Sequence, residues 1–296
     1  MLQAMIATAP GKLILTGEYA VLDGAPAIVV AIDRRAIARR GTALATSPFL
    51  LAVADELAAS DPAAAELARH VTVDTSALYD GECKLGLGSS AAATVAATAC
   101  AGVAPDRIYP IALAAHARAQ GLRGARGSGA DVAAAVHGGT IAFEAGAVRR
   151  LRWPAELLLV PFFTGVAADT ATLVARVMAV RSADVTAALA AIAEASQAAE
   201  AALDVQAFAR AGAAIDQLAR ATRIDLVPAC VVAARHALAR LGGTAKTTGA
   251  GGGDVGVAVL PATVDATEVG RLLIEVGCQP LRLCVEAAGV DTRPAP

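Results

Sequence analysis

Lys84-Leu85-Gly86-Leu87-Gly88-Ser89-Ser90-Ala91-Ala92-Ala93 decides how the rest of the chain is read. Two glycines and two serines run straight into an alanine-rich stretch that continues to Cys100 and has high helix propensity. Ser90 is a preferred N-cap type, so the pattern predicts that the first helical turn begins there. The first amides of a helix lack partners within it and lie at the positive end of its dipole. Gly86 and Gly88 let the backbone approach a ligand closely, and the combination makes a phosphate cradle. An ordinary capped helix after a glycine turn has the same local pattern, so the choice between the two rests on the surrounding sequence.

The chain has 296 residues, long enough for two domains, and 56% of them are hydrophobic, enough to fill two cores. Aromatic residues make up only 3%, so the cores are expected to be built from Ala, Val, Leu and Ile, with helices packed closely on sheets. A formal net charge of −2 gives no global field for nucleic acid or an anionic membrane, which points to a small-molecule ligand. The five cysteines, Cys83, Cys100, Cys230, Cys278 and Cys284, form no C-x-x-C pair, which disfavours a disulfide framework and a zinc site. No basic leader precedes Ala9-Pro10-Gly11, and no segment approaches about 18 uninterrupted apolar residues. A cytoplasmic protein, monomer or homodimer, is expected.

Of 25 basic residues only three are lysines, Lys12, Lys84 and Lys246, and each stands beside a glycine-rich segment. An ammonium contacts one oxygen closely and adapts, whereas a guanidinium presents a rigid planar fork. The placement suggests three sites that need the compact cation; compositional drift is the bland alternative.

Short apolar runs separated by glycine turns predict strands on both sides of Gly17-Glu18-Tyr19, with Lys12 at the head of one. Taken alone, Lys12 is a solvated strand end and Tyr19 a half-buried packing residue. A helical pattern covers residues 51–70, and Val71–Asp74 is a predicted strand. After the phosphate loop, a helix is predicted over Pro110–Gln120 with proline at its start. Leu122 to Ala130 is then a loop of glycines and arginines that delivers Asp131 to the next helix. An aspartate there is commonly a helix cap, while Arg123 and Arg126 stand ready for an anion. His137 is expected to be structural. A charged turn at Arg150–Pro154 marks a domain boundary, giving residues 1–152 and 153–296. The second half is predicted as a strand at Leu157–Val160, helices over 182–203, 205–221 and 228–241, a strand at Val255–Leu260, a helix at 265–276 and a last strand at Leu281–Val285. Between the last long helix and Val255 lies Lys246-Thr247-Thr248-Gly249-Ala250-Gly251-Gly252-Gly253-Asp254, too rich in glycine for a regular element. The whole is an α+β pattern.

Together, Ala9–Lys12 with Gly17–Val21, Gly86–Ala92 and Lys246–Gly253 resemble, in order and spacing, the three signature motifs of the GHMP small-molecule kinases. The family takes its name from galactokinase, homoserine kinase, mevalonate kinase and phosphomevalonate kinase. Lys84 ahead of the loop, Ala119-Gln120-Gly121, Gly127–Val132 and Gly249–Asp254 are most similar to the phosphomevalonate kinase branch.

The resemblance implies an α+β, two-domain GHMP kinase fold. Its N-terminal domain is ribosomal-protein-S5-like with a left-handed βαβ crossover, and its C-terminal domain is ferredoxin-like. It implies ATP and Mg²⁺ as cofactors and phosphomevalonate or a related acceptor as substrate, with mevalonate kinase or a non-catalytic nucleotide-binding regulator as rivals. By motif position Lys12 and Asp131 are catalytic. Lys84, Gly86, Leu87, Gly88, Ser89, Ser90 and Ala91 bind ATP phosphates, and Ser90 and Gln120 hold the metal. Glu18, Tyr19, Arg123, Arg126, Ser128, Gly129, Lys246, Gly249, Ala250, Gly251 and Gly252 fall to the acceptor.

Overall fold

The computed structural model describes residues 5–124 and 126–294; Ala125, in the arginine loop, lies outside them. β1 (Met5–Thr16) and β2 (Ala27–Arg40) form a long antiparallel pair whose alternate residues Leu13, Leu15, Ile28, Val30 and Ile32 point into one core. A register shift between Pro10 and Gly11 marks a bulge. Lys12 therefore lies mid-strand, just past the bulge, rather than at a strand head.

The predicted helical region 51–70 is two helices, α1 (Pro48–Leu57) and α2 (Pro62–Arg69), because Asp61 caps the second through Ala64 N and Pro62 opens it. β3 (Val71–Asp74) pairs with the far half of β2, and the hairpin of β4 (Tyr79–Asp80) and β5 (Cys83–Lys84) leads to the phosphate loop. Three helices follow: α3 (Ser89–Cys100), α4 (Pro105–Gly121) and α5 (Ala130–His137). α4 starts five residues before the predicted position, at Pro105, and carries Pro110 within its first turns. The chain then enters β6 (Thr140–Glu144), paired with the near half of β2, and β7 (Ala147–Leu151). β3 and β6 lie on the same edge of β2 and both oppose its direction, so α3 to α5 connect two strands of like direction.

The second sheet is built from β8 (Leu157–Phe163), then α6 (Thr170–Ala179), α7 (Ala183–Ala201), α8 (Val205–Thr222) and α9 (Ala229–Ala239), then β9 (Thr244–Thr247), β10 (Val255–Pro261), α10 (Ala266–Glu275) and β11 (Gln279–Pro280). Its strand order is β11-β8-β10-β9, all antiparallel. The predicted strand at Leu281–Val285 is replaced by the two residues of β11 and one bridge, Ile32 to Val285, because the chain leaves this sheet and crosses back. It ends as β12 (Asp291–Pro294) on the outer edge of β1.

Alanine fills the core as the composition suggests: Ala91, Ala96, Ala112, Ala115 and Ala119 bring α3 and α4 close. Another cluster joins the sheets, with Leu13, Leu15 and Val30 from the first, Val255, Val257 and Val259 from the second and Phe208 of α8 between. A buried hydroxyl pair, Thr16 Oγ1 to Ser196 Oγ at 2.7 Å, ties β1 to α7. All five cysteines are free. No helix among the described residues is long and apolar enough to cross a membrane.

The returning tail braces α5. A Cβ on Gly289 would stand 1.9 Å from the Val136 carbonyl oxygen, so the approach of these backbones depends on a missing side chain. Gly289→Ala is expected to lower stability by about 1–3 kcal/mol in urea denaturation. Gly41→Ala, at an open position, is expected to stay within about 0.5 kcal/mol of the parent.

Candidate active site

The phosphate loop alternates pegs and hinges. Leu85 and Leu87 are buried in the core, while Gly86 (φ 69°) and Gly88 (φ 78°) take left-handed conformations that leucine would resist. β1 clamps the loop from below: Lys12 N donates to Leu87 O at 2.9 Å and Lys12 Nζ to Gly86 O at 3.0 Å. Space is tight, since a Cβ on Gly88 would meet the Lys12 stem at 3.0 Å and one on Gly86 would meet Asp254 Oδ2 at 2.6 Å.

Gly88, rather than Ser90, occupies the N-cap position, and no side chain caps the helix. A left-handed glycine starts the helix one residue earlier than a serine cap requires, which leaves Ser89, Ser90 and Ala91 to present the first amides. Leu87 and Ala91, both buried, offer only backbone atoms. Ser89 lies 3.5 Å by its hydroxyl from Tyr79 Oη. The Ser90 hydroxyl lies 3.2 Å from His116 Nε2 on α4.

Asp131 sits in the first turn of α5, whose N-cap is Gly129 without a side-chain capping bond, so the cap reading of this aspartate fails. Its Oδ1 accepts from Val132 N at 2.9 Å, and its Oδ2 lies 4.0 Å from His116 Nε2. Burial pushes the Lys12 ammonium below the usual lysine range; Asp131 and Asp254 oppose this and Lys84 adds to it. Asp254 is pushed above the usual aspartate range by burial, against the pull of the Ala168 amide, Lys12 and Lys84. Two cations and two carboxylates therefore converge on the loop, with Lys84 the exposed member.

The metal and arginine expectations divide. The Gln120 amide packs against Gly127, where a Cβ would lie 2.2 Å from its Oε1, and no hydrogen bond joins it to Ser90 or Asp131 among the described residues. Its role as a metal ligand is not what this packing offers. No group of three His, Cys, Asp or Glu side chains able to hold a metal occurs among the described residues. Arg123 lies over the Phe49 ring at 5.9 Å, and Arg126 donates to Leu22 O at 2.9 Å. Ser128 Oγ accepts from Ala130 N, and a Cβ on Gly129 would strike Leu113. An open hollow of about 490 Å³ borders Val21, Asp23, Arg126, Gly127 and Ser128, and its lining includes none of Lys12, Ser90 or Asp131.

The third glycine segment is packed rather than free. Gly252 N donates to Leu226 O at 2.7 Å, and a Cβ on Gly251 would lie 2.4 Å from the same oxygen. Gly251 and Gly252 thus serve close packing, and of the three predicted glycine contact positions Gly249 alone has open space around it. The Ala250 carbonyl accepts from Tyr19 Oη at 2.5 Å. Lys246 and Glu18, at 1% and 2% exposure, pair with each other in the interior, and Lys246 Nζ also donates to Thr247 O at 2.6 Å. Their predicted acceptor contact is replaced by a buried ion pair between motifs, and Glu18 Oε2 has no hydrogen-bond partner among the described residues. Tyr19 likewise spends its hydroxyl within the protein. Two residues escaped the sequence reading: His116, a lone histidine on an alanine-rich helix that signals nothing, and Asp254, whose position at the end of the glycine segment carried a signal without a role.

No protein-family model matches the chain. It is 29% identical to the phosphomevalonate kinase of Streptomyces sp. (strain CL190) over an alignment of 373 residues, which covers 97% of this chain and 99% of that protein. A Lin0012 protein from Listeria innocua shares the fold with a TM-score of 0.83 at 20% identity, covering 98% of this chain and 99% of that one. The Streptococcus pneumoniae phosphomevalonate kinase, solved with phosphomevalonate and AMPPNP, shares it with a TM-score of 0.73 at 17% identity, covering 94% and 99%. With the loop geometry above, these likenesses define what the chain resembles: it shares the fold of these solved structures and is similar in sequence to a phosphomevalonate kinase.

The links between motifs are testable through stability. Lys246→Met leaves Glu18 charged and unpaired in the interior and is expected to cost about 3–5 kcal/mol in urea denaturation, with much of the loss recovered when Glu18→Gln is added. Tyr19→Phe removes the hydrogen bond to Ala250 and is expected to cost about 1 kcal/mol near pH 8. Burial, with Glu18 adding to it, raises the folded Tyr19 hydroxyl above the usual tyrosine range. A tyrosine in the unfolded chain ionises near about 10, so the contribution of Tyr19 persists below that pH and is lost above it. The gap between parent and Tyr19→Phe is expected to narrow between pH 8 and pH 11.

Proposed function

We propose that the chain transfers the γ-phosphoryl group of ATP to the phosphate of 5-phosphomevalonate, giving ADP and 5-diphosphomevalonate. The observation that carries this reading is the convergence of Lys12 and Asp131 on a phosphate loop whose Gly86 carbonyl already holds the Lys12 ammonium. Phosphoryl transfer asks for positioning and charge neutralisation more than covalent chemistry, and this arrangement provides both.

An acceptor phosphate oxygen attacks the γ-phosphorus while the bond to the β–γ bridging oxygen breaks, and ADP leaves with that electron pair. Amides of Ser89, Ser90 and Ala91 hold the phosphates. The Lys12 ammonium neutralises charge on the transferring group. Asp131 orients the acceptor and takes its proton where one is present. Since a phosphate monoester has its second pKa near about 6, the phosphate acceptor needs less from this base than an alcohol would.

Mg²⁺ bound with the nucleotide would supply further charge neutralisation, and the Ser90 hydroxyl is the residue that would hold it. This fits the lack of a carboxylate cage among the described residues, because Mg²⁺ at phosphate sites takes few protein ligands. The exposed cations Lys84 and Arg123, with Arg126, favour an acceptor that already bears a phosphate. Dependence on ATP and the free cysteines suit the cytoplasm.

The test is an ADP-release assay with phosphomevalonate, mevalonate, homoserine and galactose. Phosphomevalonate is expected to be turned over with the highest kcat/KM; preference for mevalonate would reassign the acceptor, and release with none of them would leave only nucleotide binding. Asp131→Asn, which is not at a cap, is expected to lose about 10²-fold or more in kcat while keeping nucleotide affinity.

A further inference from the structure

We propose that His116 is a positioning residue of this site, whose single nitrogen Nε2 sets the Ser90 hydroxyl and the Asp131 carboxylate relative to each other; the inference rests on the kinase reading above. Ser90 is on α3, His116 on α4 and Asp131 on α5, three helices that pack on one another. His116 Nε2 stands 3.2 Å from Ser90 Oγ and 4.0 Å from Asp131 Oδ2. One atom thus faces a proposed metal-bearing hydroxyl and a proposed catalytic carboxylate.

The imidazole is 1% exposed, in an alanine-rich interior. A polar ring buried there costs a few kcal/mol unless its nitrogens find partners, so the direction of Nε2 is a strong constraint. The ring plane is fixed as well, since His116 stacks on Phe49 with centroids 5.1 Å apart and planes 29° from parallel. Arg123 lies over the same Phe49 ring. A histidine present only for packing would bond the nearest backbone carbonyl. Here Nε2 is turned to polar side chains of two other helices, and no other side chain hydrogen-bonds the Ser90 hydroxyl among the described residues.

The consequence for chemistry is indirect. His116 does not reach the reacting atoms. When the Ser90 hydroxyl donates to Nε2, its oxygen lone pairs are left free to accept a metal, and the ring, with no proton on Nε2 to give, bounds the space open to the Asp131 carboxylate from 4.0 Å away. Partners that orient a ligand in this way are typically worth about 10- to 100-fold in metal affinity or activity.

The test uses His116→Phe, which keeps the ring and its stack on Phe49 but removes Nε2, and His116→Gln, which returns a polar atom near the same place. Melting curves establish folding. Calorimetry then measures affinity for AMPPNP with and without Mg²⁺, and steady-state rates give kcat and KM. His116→Phe is expected to keep its Mg²⁺-free affinity, to lose most of the gain that Mg²⁺ confers, and to lower kcat about 10-fold or more with little change in acceptor KM. His116→Gln is expected to recover part of both losses and carries the test alone if the phenylalanine variant does not fold.

Parent-like Mg²⁺ dependence and kcat in His116→Phe would overturn the proposal. If the parent turns over no acceptor, the kinase reading falls by itself and the AMPPNP titration still decides His116: a Mg²⁺ gain in the parent that His116→Phe loses supports it, and equal gains reject it.

Discussion

Lys12 grips the phosphate loop twice, by its amide to Leu87 O and by its ammonium to Gly86 O, and the site depends on that grip. A cradle of backbone amides binds an anion well only if the amides are already aimed when the anion arrives. Gly86 and Gly88 alone would leave the loop free to sample many conformations. Leu85 and Leu87, sunk in the core on either side, and the clamp from β1 remove that freedom before any ligand binds. The ammonium has three donors, so an incoming phosphate can share Nζ with the Gly86 carbonyl instead of displacing it.

Alanine makes the convergence possible. With Ala91, Ala96, Ala112, Ala115 and Ala119 between them, the helices around the loop approach closely, and short side chains on separate helices come within reach of one another. Larger core residues would move Ser90, His116 and Asp131 apart. The low aromatic content is thus a geometric condition of the site as well as a packing style.

The loop and most of the strands were legible in the sequence because each has a local cause: glycines before a helix former, short apolar runs between turns. What failed was decided over longer distances. Ser90 looks like a cap, yet Gly88 in a left-handed conformation begins the helix first. Lys12 looks like a strand head because the Pro10-Gly11 bulge leaves no trace in hydrophobic periodicity. Of the three lysines beside glycine segments, Lys246 has Glu18 as its partner, 228 positions away in sequence and invisible to any local pattern. The crossing of the C-terminal tail back to β1 depends likewise on pairing that no run of residues announces.

These longer-range links change what the third glycine segment is for. Tyr19 bonds its Ala250 carbonyl, Lys246 at its entrance pairs with Glu18, and Asp254 at its exit lies against Gly86. The first and second motifs thus hold the third at both ends, and Leu226 fixes its middle. Its glycines are needed chiefly because backbones meet there without room for side chains. A segment held in this way cannot sweep across the site as a loose flap, and only the turn around Gly249 has space to adjust. Ordering such a segment on binding costs little, since most of its conformational entropy has already been lost on folding. For the proposed phosphoryl transfer, binding energy from the nucleotide then remains available to align the acceptor with the transferring phosphate.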